Sequence, residues 1–500
     1  MTTFDLRHYR ARAEEFVGAL DKEYYLHYSG IKPVCDTAAV YDRYPELFTR
    51  EAFAWLNEIY EPTTDDDEKR RLAYLIAFNV DGYMGEQTKH LSDEIANTEG
   101  QAHIVVDGES IGLRQAGIVQ ANESDAARRA RIQEGRLATL DDQVNPLLDR
   151  YWRQCHDLAA GLGYPNYLEL YSEVQGLDYF RLRAELEGFL LDTDGLYERV
   201  MDSLSRERMG MPLKDLKYSD LPYLWRAREY DHAFREDALL PALRSTLAGL
   251  GIDLDAQRNV HLDTETRELK TPRAFCAPVR VPEEIYLCVL PHGGQDDYAS
   301  LLHEAGHTEH FAHMHPSLAF EYRHLGDNSV TEAFAFRLEH LVLSRQWLDI
   351  ALGFTDTEAF LKFANVNDLF FMRRYIAKLA YETELHVETG SLDAMKSAYA
   401  RRLSRALLID IPPENYLFDV DDAFYSACYL RAWLLEGAFR MMFQDRYGGD
   451  WFRKPAAAAW LKELWSNGQE MRADRLLLRY GGGRLDADPL KHLIERALGR

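Results

Sequence analysis

The sequence has little cysteine, little proline and no long hydrophobic run. Its 500 residues include 5 cysteines, 17 prolines and no C-x-x-C pair. An odd number of widely spaced cysteines argues against a disulfide framework and indicates reduced, structural thiols in a cytoplasmic protein, with a Cys–His nucleophile as the weaker alternative. No segment reaches the ~18 apolar residues that a membrane span needs. The first ten residues are polar and charged and lack the apolar core of a signal peptide.

Positive charge is also scarce. The chain has 58 Lys and Arg against 82 Asp and Glu, which gives a net charge of −24. Such a surface repels phosphate backbones and anionic lipid, so neither nucleic acid nor a membrane is an expected partner. Solubility is the simpler meaning of this charge. Hydrophobic residues make up 46% of the sequence, which is enough for a large buried core.

Helical periodicity covers most of the chain. It is clear over residues 4–28, 37–60 and 66–98, where only Asn79-Val-Asp-Gly82 suggests a break. It resumes from Asp125 to about residue 250, with loops, and again from Asp296 to the end. With few glycines and prolines, this pattern predicts a mainly α protein.

Two short islands interrupt the helical pattern. Residues 102–113 contain Asp107-Gly108 between apolar residues, which predicts a hairpin with a tight type I′ turn. In the second island, residues 273–280 and 284–290 are rich in β-branched and aromatic residues and predict a pair of strands.

No linker rich in Gly, Ser or Pro divides the chain. We therefore expect one continuous body with two lobes. The N-terminal helical lobe would span residues 1–160 and carry the hairpin. The catalytic helical lobe would span residues 161–500.

One motif carries chemistry. His303-Glu304-Ala-Gly-His307 is H-E-x-x-H on a predicted helix. The four-residue spacing puts both imidazoles on one face, where they can reach one metal ion. Glu304 lies beside them and can take a proton from metal-bound water, as in zinc peptidases.

A catalytic zinc needs a third protein ligand, and two histidines fit poorly. His313 has the spacing of a longer motif, but His310 stands where that motif needs a chain-turning glycine. The helix should therefore continue and carry His313 away from the metal. His310 itself lies ~10 Å along the helix axis from His303, too far to share the ion.

Glu332 is the best third ligand. A second helix predicted to start near Ser329 would place this carboxylate opposite the two histidines. The alternative is that Ser329-Val-Thr-Glu332 forms a capping box and Glu332 only caps its own helix. The other acids nearby fit less well, and these are Glu321, Asp327 and Glu339.

These segments together resemble the thimet oligopeptidase and oligoendopeptidase F family of zinc peptidases, and more distantly angiotensin-converting enzyme and carboxypeptidase Taq. The resemblance rests on Arg273-Ala-Phe-Cys, on Asp296 to His307, on the 25-residue gap to Glu332, on Asp107-Gly-Glu and on Gly161 to Leu170. It implies a large two-lobed helical metallopeptidase fold with a deep substrate channel and one zinc ion per chain. A small β island would lie beside the active-site helix.

The resemblance also implies donors for the transition state from a C-terminal helix. The matching tyrosines are Tyr425 and Tyr429, which share a helix face at i, i+4. The alternative is an aromatic core helix. Two departures from the family stand out, because residues 408–424 contain no histidine and Phe336 replaces a residue that is often polar.

The sequence thus predicts a zinc-dependent metallopeptidase that hydrolyses short peptides, with Glu304 activating a zinc-bound water. The strand at 284–290 would bind the substrate by strand addition. A zinc amidohydrolase acting on a modified or non-peptide amide is the second hypothesis. A catalytically inactive, peptide-binding homologue is the third. No pattern in the sequence indicates an oligomeric state.

Overall fold

The computed structural model describes residues 5–388 and 390–499, and helices dominate it. The first helices are α1 (Leu6–Tyr28), α2 (Thr37–Tyr41), α3 (Arg50–Tyr60), α4 (Asp66–Gln101), α5 (Ala116–Ala121), α6 (Ala126–Thr139), α7 (Asn145–Gly161), α8 (Tyr167–Gln175), α9 (Tyr179–Met209), α10 (Leu221–Arg226) and α11 (Glu236–Gly249). The remaining helices are α12 (Gln295–Ala312), α13 (Phe320–His324), α14 (Asn328–Glu339), α15 (Arg345–Leu352), α16 (Glu358–Leu385), α17 (Lys396–Leu407), α18 (Tyr425–Tyr447), α19 (Pro455–Ser466), α20 (Ala473–Arg479) and α21 (Asp488–Leu498). The strands are β1 (His103–Val106), β2 (Glu109–Gly112), β3 (Val260–Asp263), β4 (Phe275–Arg280) and β5 (Glu284–Cys288). The predicted mainly α class is confirmed.

The expected break at residues 79–82 is wrong, because α4 runs through it without interruption. Asn79 is fully buried, and its amide donates to the carbonyl oxygen of Leu47 at 2.5 Å. Gly82 lies against the ring of Phe48, where a methyl group would be only 2.0 Å from the ring carbons. Asn79 and Gly82, which suggest a helix break in the sequence, thus pack α4 against a neighbouring segment.

The hairpin prediction is confirmed. β1 and β2 pair antiparallel, with Ile104 opposite Ile111. Both turn residues have positive φ, 55° at Asp107 and 83° at Gly108, as a type I′ turn requires. The buried side chains of the hairpin pack against Ile132 of α6.

The two strands predicted in the second island are confirmed, and a third strand from before the island, β3, joins them in one sheet. β4 and β5 pair antiparallel, as predicted, and β3 pairs parallel to β5 on its other side. The order β3-β5-β4 makes β5 the central strand and β4 an edge strand. Pro278 lies in β4, which fits an edge because proline has no N–H to donate.

The chain forms two compact units, each assembled from separated stretches. The first comprises the chain up to Tyr83, Arg228–Leu361 and Cys428–Leu493, and it contains the three-stranded sheet, α12 and α14. The second comprises Met84–Ala227, Lys362–Ala427 and the residues from Ile494 on, and it contains the hairpin.

Two further sequence features have structural counterparts. All five cysteines are free thiols, as predicted. Across residues 5–388 and 390–499, no helix combines the length and the apolar character that crossing a membrane requires.

Candidate metal centre

Helix α12 carries the H-E-x-x-H motif. Asp297 in its first turn accepts hydrogen bonds from the backbone N–H groups of His292 and Gly293 at 2.8 and 2.9 Å. This carboxylate fixes the entry of the chain and suits the positive end of the helix dipole. The helical spacing then puts His303 and His307 on one face, with their ring centroids 4.9 Å apart.

Helix α14 approaches α12 closely at Gly306. A methyl group there would lie 2.5 Å from Cα of Ala335 and 2.7 Å from the carbonyl oxygen of Phe334. Real Cβ contacts are never that short, so only glycine allows the two backbones to meet at this point. The close approach brings the side chains of α14 within reach of both histidines.

Glu332 of α14 lies opposite the two imidazoles. Its Oε2 is 3.2 Å from Nε2 of His303 and 3.5 Å from Nε2 of His307. One ligand atom from each of the three residues lies within 4.8 Å of the others. Among the described residues this is the one group of three or more His, Cys, Asp or Glu side chains that could hold a metal ion. The structure therefore brings together all three predicted ligands.

The other ring nitrogens of the histidines are held by two further residues of α14. Nδ1 of His303 lies 2.7 Å from Oε2 of Glu339, and Nδ1 of His307 lies 2.9 Å from Oγ1 of Thr331. When each Nδ1 carries a proton and donates it to these oxygens, each Nε2 is unprotonated. Its lone pair is then directed at Glu332. Two neutral imidazoles and one carboxylate are a donor set that suits catalytic zinc.

Without a metal, the charges of these groups act on one another. Burial by itself lowers the pKa of His303, but hydrogen bonds and charge from Glu332 and Glu339 raise it well above its ordinary value. Burial raises the pKa of Glu332, yet the two histidines outweigh it and hold that pKa well below its ordinary value. The site therefore holds a carboxylate close to two nitrogen donors.

Glu304 faces edge strand β4. Its Oε2 accepts a hydrogen bond from the backbone N–H of Cys276 at 2.9 Å. Burial raises the pKa of this carboxyl above its ordinary value, although the neighbouring histidines partly oppose the shift. A base whose pKa is raised toward neutrality takes up a proton more readily.

The histidines rejected as ligands, His310 and His313, are not part of the candidate metal-ligand group. Helix α12 continues past His310 to Ala312, as expected, and His313 caps its C-terminus. His313 Nδ1 lies 2.9 Å from the carbonyl oxygen of Glu309 and 3.3 Å from its carboxylate. His310 is fully buried, with its ring 4.8 Å from that of Phe334.

The capping box at Ser329 does not form. Asp327 is the N-cap of α14, and its Oδ1 accepts from the backbone N–H of Ser329 at 3.0 Å. The alternative role of Glu332 as a cap is therefore wrong, and its carboxylate is directed at the histidines instead. Asp327 lies in the loop directly before α14, as expected, and caps that helix.

The two tyrosines lie in the first turns of α18. Tyr425 is its first residue and belongs to the second unit, whereas Tyr429 belongs to the first unit. The ring of Tyr429 lies 6.0 Å from that of Phe336, which in turn lies 5.1 Å from the ring of His303. Tyr429 therefore belongs to an aromatic group that reaches the candidate ligand His303.

Sequence reasoning missed the two residues that orient the histidines. Glu339 was set aside as a ligand because it lies two turns beyond Glu332. That spacing keeps it on the same face of α14, where it contacts Nδ1 of His303 instead of the metal position. Thr331 gave no signal of its own, except that it directly precedes a proposed ligand. Phe336 contributes a ring edge to His303 rather than a hydrogen bond.

The expected substrate strand is also wrong. β5 pairs with β3 on one side and β4 on the other, so its backbone has no free edge for a peptide. β4 is one of the two edge strands, and the backbone N–H of its residue Cys276 donates to Glu304. The sequence did not reveal this arrangement because β3, which is short and follows polar residues, was not recognised.

Comparison with solved structures shows that the chain has a known, mainly helical fold, which it shares with two structures named as peptidases. A Bacillus anthracis str. Ames protein provisionally described as an oligoendopeptidase F is similar, with 16% identity, a TM-score of 0.66, and coverage of 96% of this chain and 88% of that one. PZ peptidase A, solved with an inhibitor, is similar with 16% identity, a TM-score of 0.70, and coverage of 97% and 90%. No protein-family model and no curated protein sequence matches the chain. The likeness establishes the fold, in agreement with the resemblance noted from the sequence.

Proposed function

We propose that this protein is a zinc-dependent peptidase that hydrolyses amide bonds of short peptides, with one zinc ion per chain held by His303, His307 and Glu332. The observation that carries the proposal is the meeting of their three ligand atoms within 4.8 Å, beside the half-buried side chain of Glu304. The names of the two similar structures, an oligoendopeptidase F and a PZ peptidase, agree with this chemistry.

Zinc, when bound, supplies a Lewis acid that makes water more acidic and polarises a carbonyl oxygen. Glu304 takes the proton from the attacking water and then delivers it to the nitrogen of the leaving amine. The hydrogen bond from Cys276 to Oε2 leaves the second carboxylate oxygen, Oε1, for proton transfer. Burial supports this role because it raises the pKa of Glu304.

The edge of β4 would hold the peptide. An extended substrate can add to a free strand edge through main-chain hydrogen bonds, whatever its side chains are. Because Cys276 of this strand contacts Glu304, a peptide on that edge would have its backbone close to the general base. Tyr425 and Tyr429 would donate their phenol protons to the oxyanion as it develops.

Mass-spectrometric profiling of a mixed peptide library tests the proposal. The protein should cleave peptides, lose this activity when dialysed against a chelator and regain it with added zinc. Glu304→Gln protein serves as the matched control, because its metal ligands are unchanged. Stoichiometric zinc with no peptide cleavage, but with hydrolysis of other amides, would favour an amidohydrolase. Purification without zinc and without activity would favour an inactive peptide-binding protein.

A further inference from the structure

Among residues 5–388 and 390–499, every side chain that forms a hydrogen bond or an ion pair with His303 or His307 comes from helix α14. Glu332 contacts both Nε2 atoms, Glu339 contacts Nδ1 of His303, and Thr331 contacts Nδ1 of His307. The geometry of the metal centre therefore depends on how α14 is held along its length.

The N-terminal end of α14 is tied to α18. Arg431 of α18 is 5% exposed, and its guanidinium donates to Asp327 Oδ1 at 2.9 Å and to Ser329 Oγ at 3.0 Å. Asp327 Oδ2 also accepts from the backbone N–H of Ala473 at 3.0 Å. These contacts fix the first turn of α14, which contains Thr331 and is followed directly by Glu332.

The C-terminal end of α14 is tied to the same helix by a second set of buried charges. Glu436 of α18 is fully buried. Its Oε1 accepts from Arg337 Nη1 at 2.9 Å, and its Oε2 lies 2.9 Å from Nδ1 of His340. Arg440, one turn further on, donates from Nε to both carboxylate oxygens at 3.1 and 3.0 Å. We call these four residues the Glu436 cluster.

Two members of the Glu436 cluster flank Glu339 in the sequence. Arg337 precedes Glu339 by two residues and His340 follows it directly, so Glu436 contacts the side chains of residues on both sides of Glu339 in the sequence. The guanidinium of Arg337 also stacks 4.3 Å from the ring of Trp451. A buried carboxylate with several charged partners costs desolvation that an apolar contact would avoid. A buried charge cluster of this kind can hold the surrounding side chains in one geometry, and this role explains why the cost is tolerated.

We infer that Glu436 is a positioning residue of the metal centre, which acts through Arg337 and His340 to hold the carboxylate of Glu339 against Nδ1 of His303. This inference rests on the proposed metal site. Partners that orient a metal-ligating histidine are typically worth about 10–100-fold in metal affinity. Replacing Glu436 by an uncharged residue should therefore weaken metal binding by part of this factor.

The test compares metal binding in four proteins, namely wild type, Glu436→Gln, Glu339→Gln and the double variant. Zinc dissociation constants are measured by competition with a chelator well below the unfolding temperature, and the visible spectrum of the cobalt-substituted protein reports ligand geometry. Glu436→Gln should weaken zinc binding by about 10-fold and shift the cobalt bands. The double variant should bind zinc no more weakly than Glu339→Gln alone, because both changes act on one contact.

Asp220→Asn is the matched control. Asp220 is 3% exposed and pairs with Arg129 at 2.7 Å in the second unit, so its replacement also removes a buried carboxylate charge. It should lower thermal stability while leaving zinc affinity and the cobalt spectrum unchanged. If Glu436→Gln does not fold, Arg337→Lys carries the same expectation, since it keeps the charge but loses the paired geometry.

Two results overturn the inference. One is a zinc dissociation constant within twofold of wild type in the Glu436→Gln protein, or in Arg337→Lys where the first does not fold. The other is full additivity of the effects of Glu339→Gln and Glu436→Gln. Failure of the wild-type protein to bind zinc would instead refute the proposed function, so the two failures are distinguishable.

Discussion

The backbone N–H of Cys276 donates a hydrogen bond to Oε2 of Glu304, with a distance of 2.9 Å between the two atoms. This contact ties the side chain of the proposed general base to an edge strand rather than to its own helix. It fixes the rotamer of a carboxylate that would otherwise be free to turn. The same strand edge is the one that an extended peptide would use, so base and substrate would share one rigid element.

Glu304→Gln should abolish hydrolysis without disturbing the structure. The glutamine carbonyl can still accept the Cys276 N–H, but the amide cannot take a proton. General base catalysis contributes about 10²–10⁴-fold, so kcat should fall by at least that factor. Zinc content by mass spectrometry and the unfolding temperature should match wild type. Turnover above a tenth of the wild-type value would contradict the assignment.

Glu332→Ala should remove zinc, and His313→Ala should not. Loss of one of three protein ligands leaves too few to hold the ion, and His303→Ala or His307→Ala should behave in the same way. His313 lies at the end of α12 against Glu309, so its loss should leave the metal content unchanged. Zinc retained without Glu332 but lost without His313 would reverse the assignment.

Gly306→Ala should destabilise the fold and the metal centre together. The new methyl group would lie 2.5 Å from Cα of Ala335, so α12 and α14 must move apart. Overpacking of this kind typically costs about 1–3 kcal/mol. Gly188→Ala in α9 is the matched control, since no atom lies within 4 Å of its added methyl, and it should be neutral or slightly stabilising. Urea unfolding and zinc affinity check both, and equal behaviour of the two variants would refute the close-approach argument.

The parts of this structure that the sequence predicts are those set by local pattern. The spacing of His303, Glu304 and His307 fixes their relative positions on one helix, and Asp107-Gly108 specifies its own turn. Glu332 could be proposed because residues 313–327, which connect α12 to α14, are few enough to let the two helices lie side by side. Each of these features depends on residues that are close in the sequence.

The features that the sequence did not predict depend on distant segments. The uninterrupted course of α4 requires Phe48 and Leu47, which fill the space at Gly82 and partner Asn79. The central position of β5 requires β3, a strand of only four residues, in which the alternation of apolar and polar residues is too short to mark a strand. Thr331 and Glu339 become recognisable as partners of the histidines only once the crossing of α12 and α14 is known.

Tyr425→Phe and Tyr429→Phe test the proposed oxyanion donors. If either phenol donates to the transition state, kcat should fall by about 10²–10³-fold, with zinc content and stability little changed. Tyr381→Phe is the matched control, because this buried phenol donates to the carbonyl oxygen of Tyr416 at 2.7 Å. It should cost about 0.5–1.5 kcal/mol of stability at normal kcat. Normal kcat in both single variants and in the double variant would remove the tyrosines from the mechanism.

The stability of the metal-free protein should fall as the pH drops from about 6.5 toward 4, partly because of two histidines in the second unit. Nε2 of His156 lies 3.0 Å from Nδ1 of His386. Burial lowers the pKa of His156 to about 4, and burial followed by repulsion from His156 lowers the pKa of His386 well below its ordinary value. Histidines in the unfolded chain titrate near 6.5, so below that pH the unfolded state binds more protons than the native state.

The stabilisation from this pair is therefore complete above about pH 6.5 and is lost progressively below it. His386→Phe should reduce the pH dependence by up to about 1.4 kcal/mol per pH unit in this range. Phenylalanine suits the position because the ring of His386 packs against Trp152, Tyr167 and Phe424. Urea unfolding at pH 7, 6 and 5, in the presence of a chelator so that metal loss does not contribute, measures the difference. An identical pH dependence in wild type and His386→Phe would show that the pair does not titrate in this way.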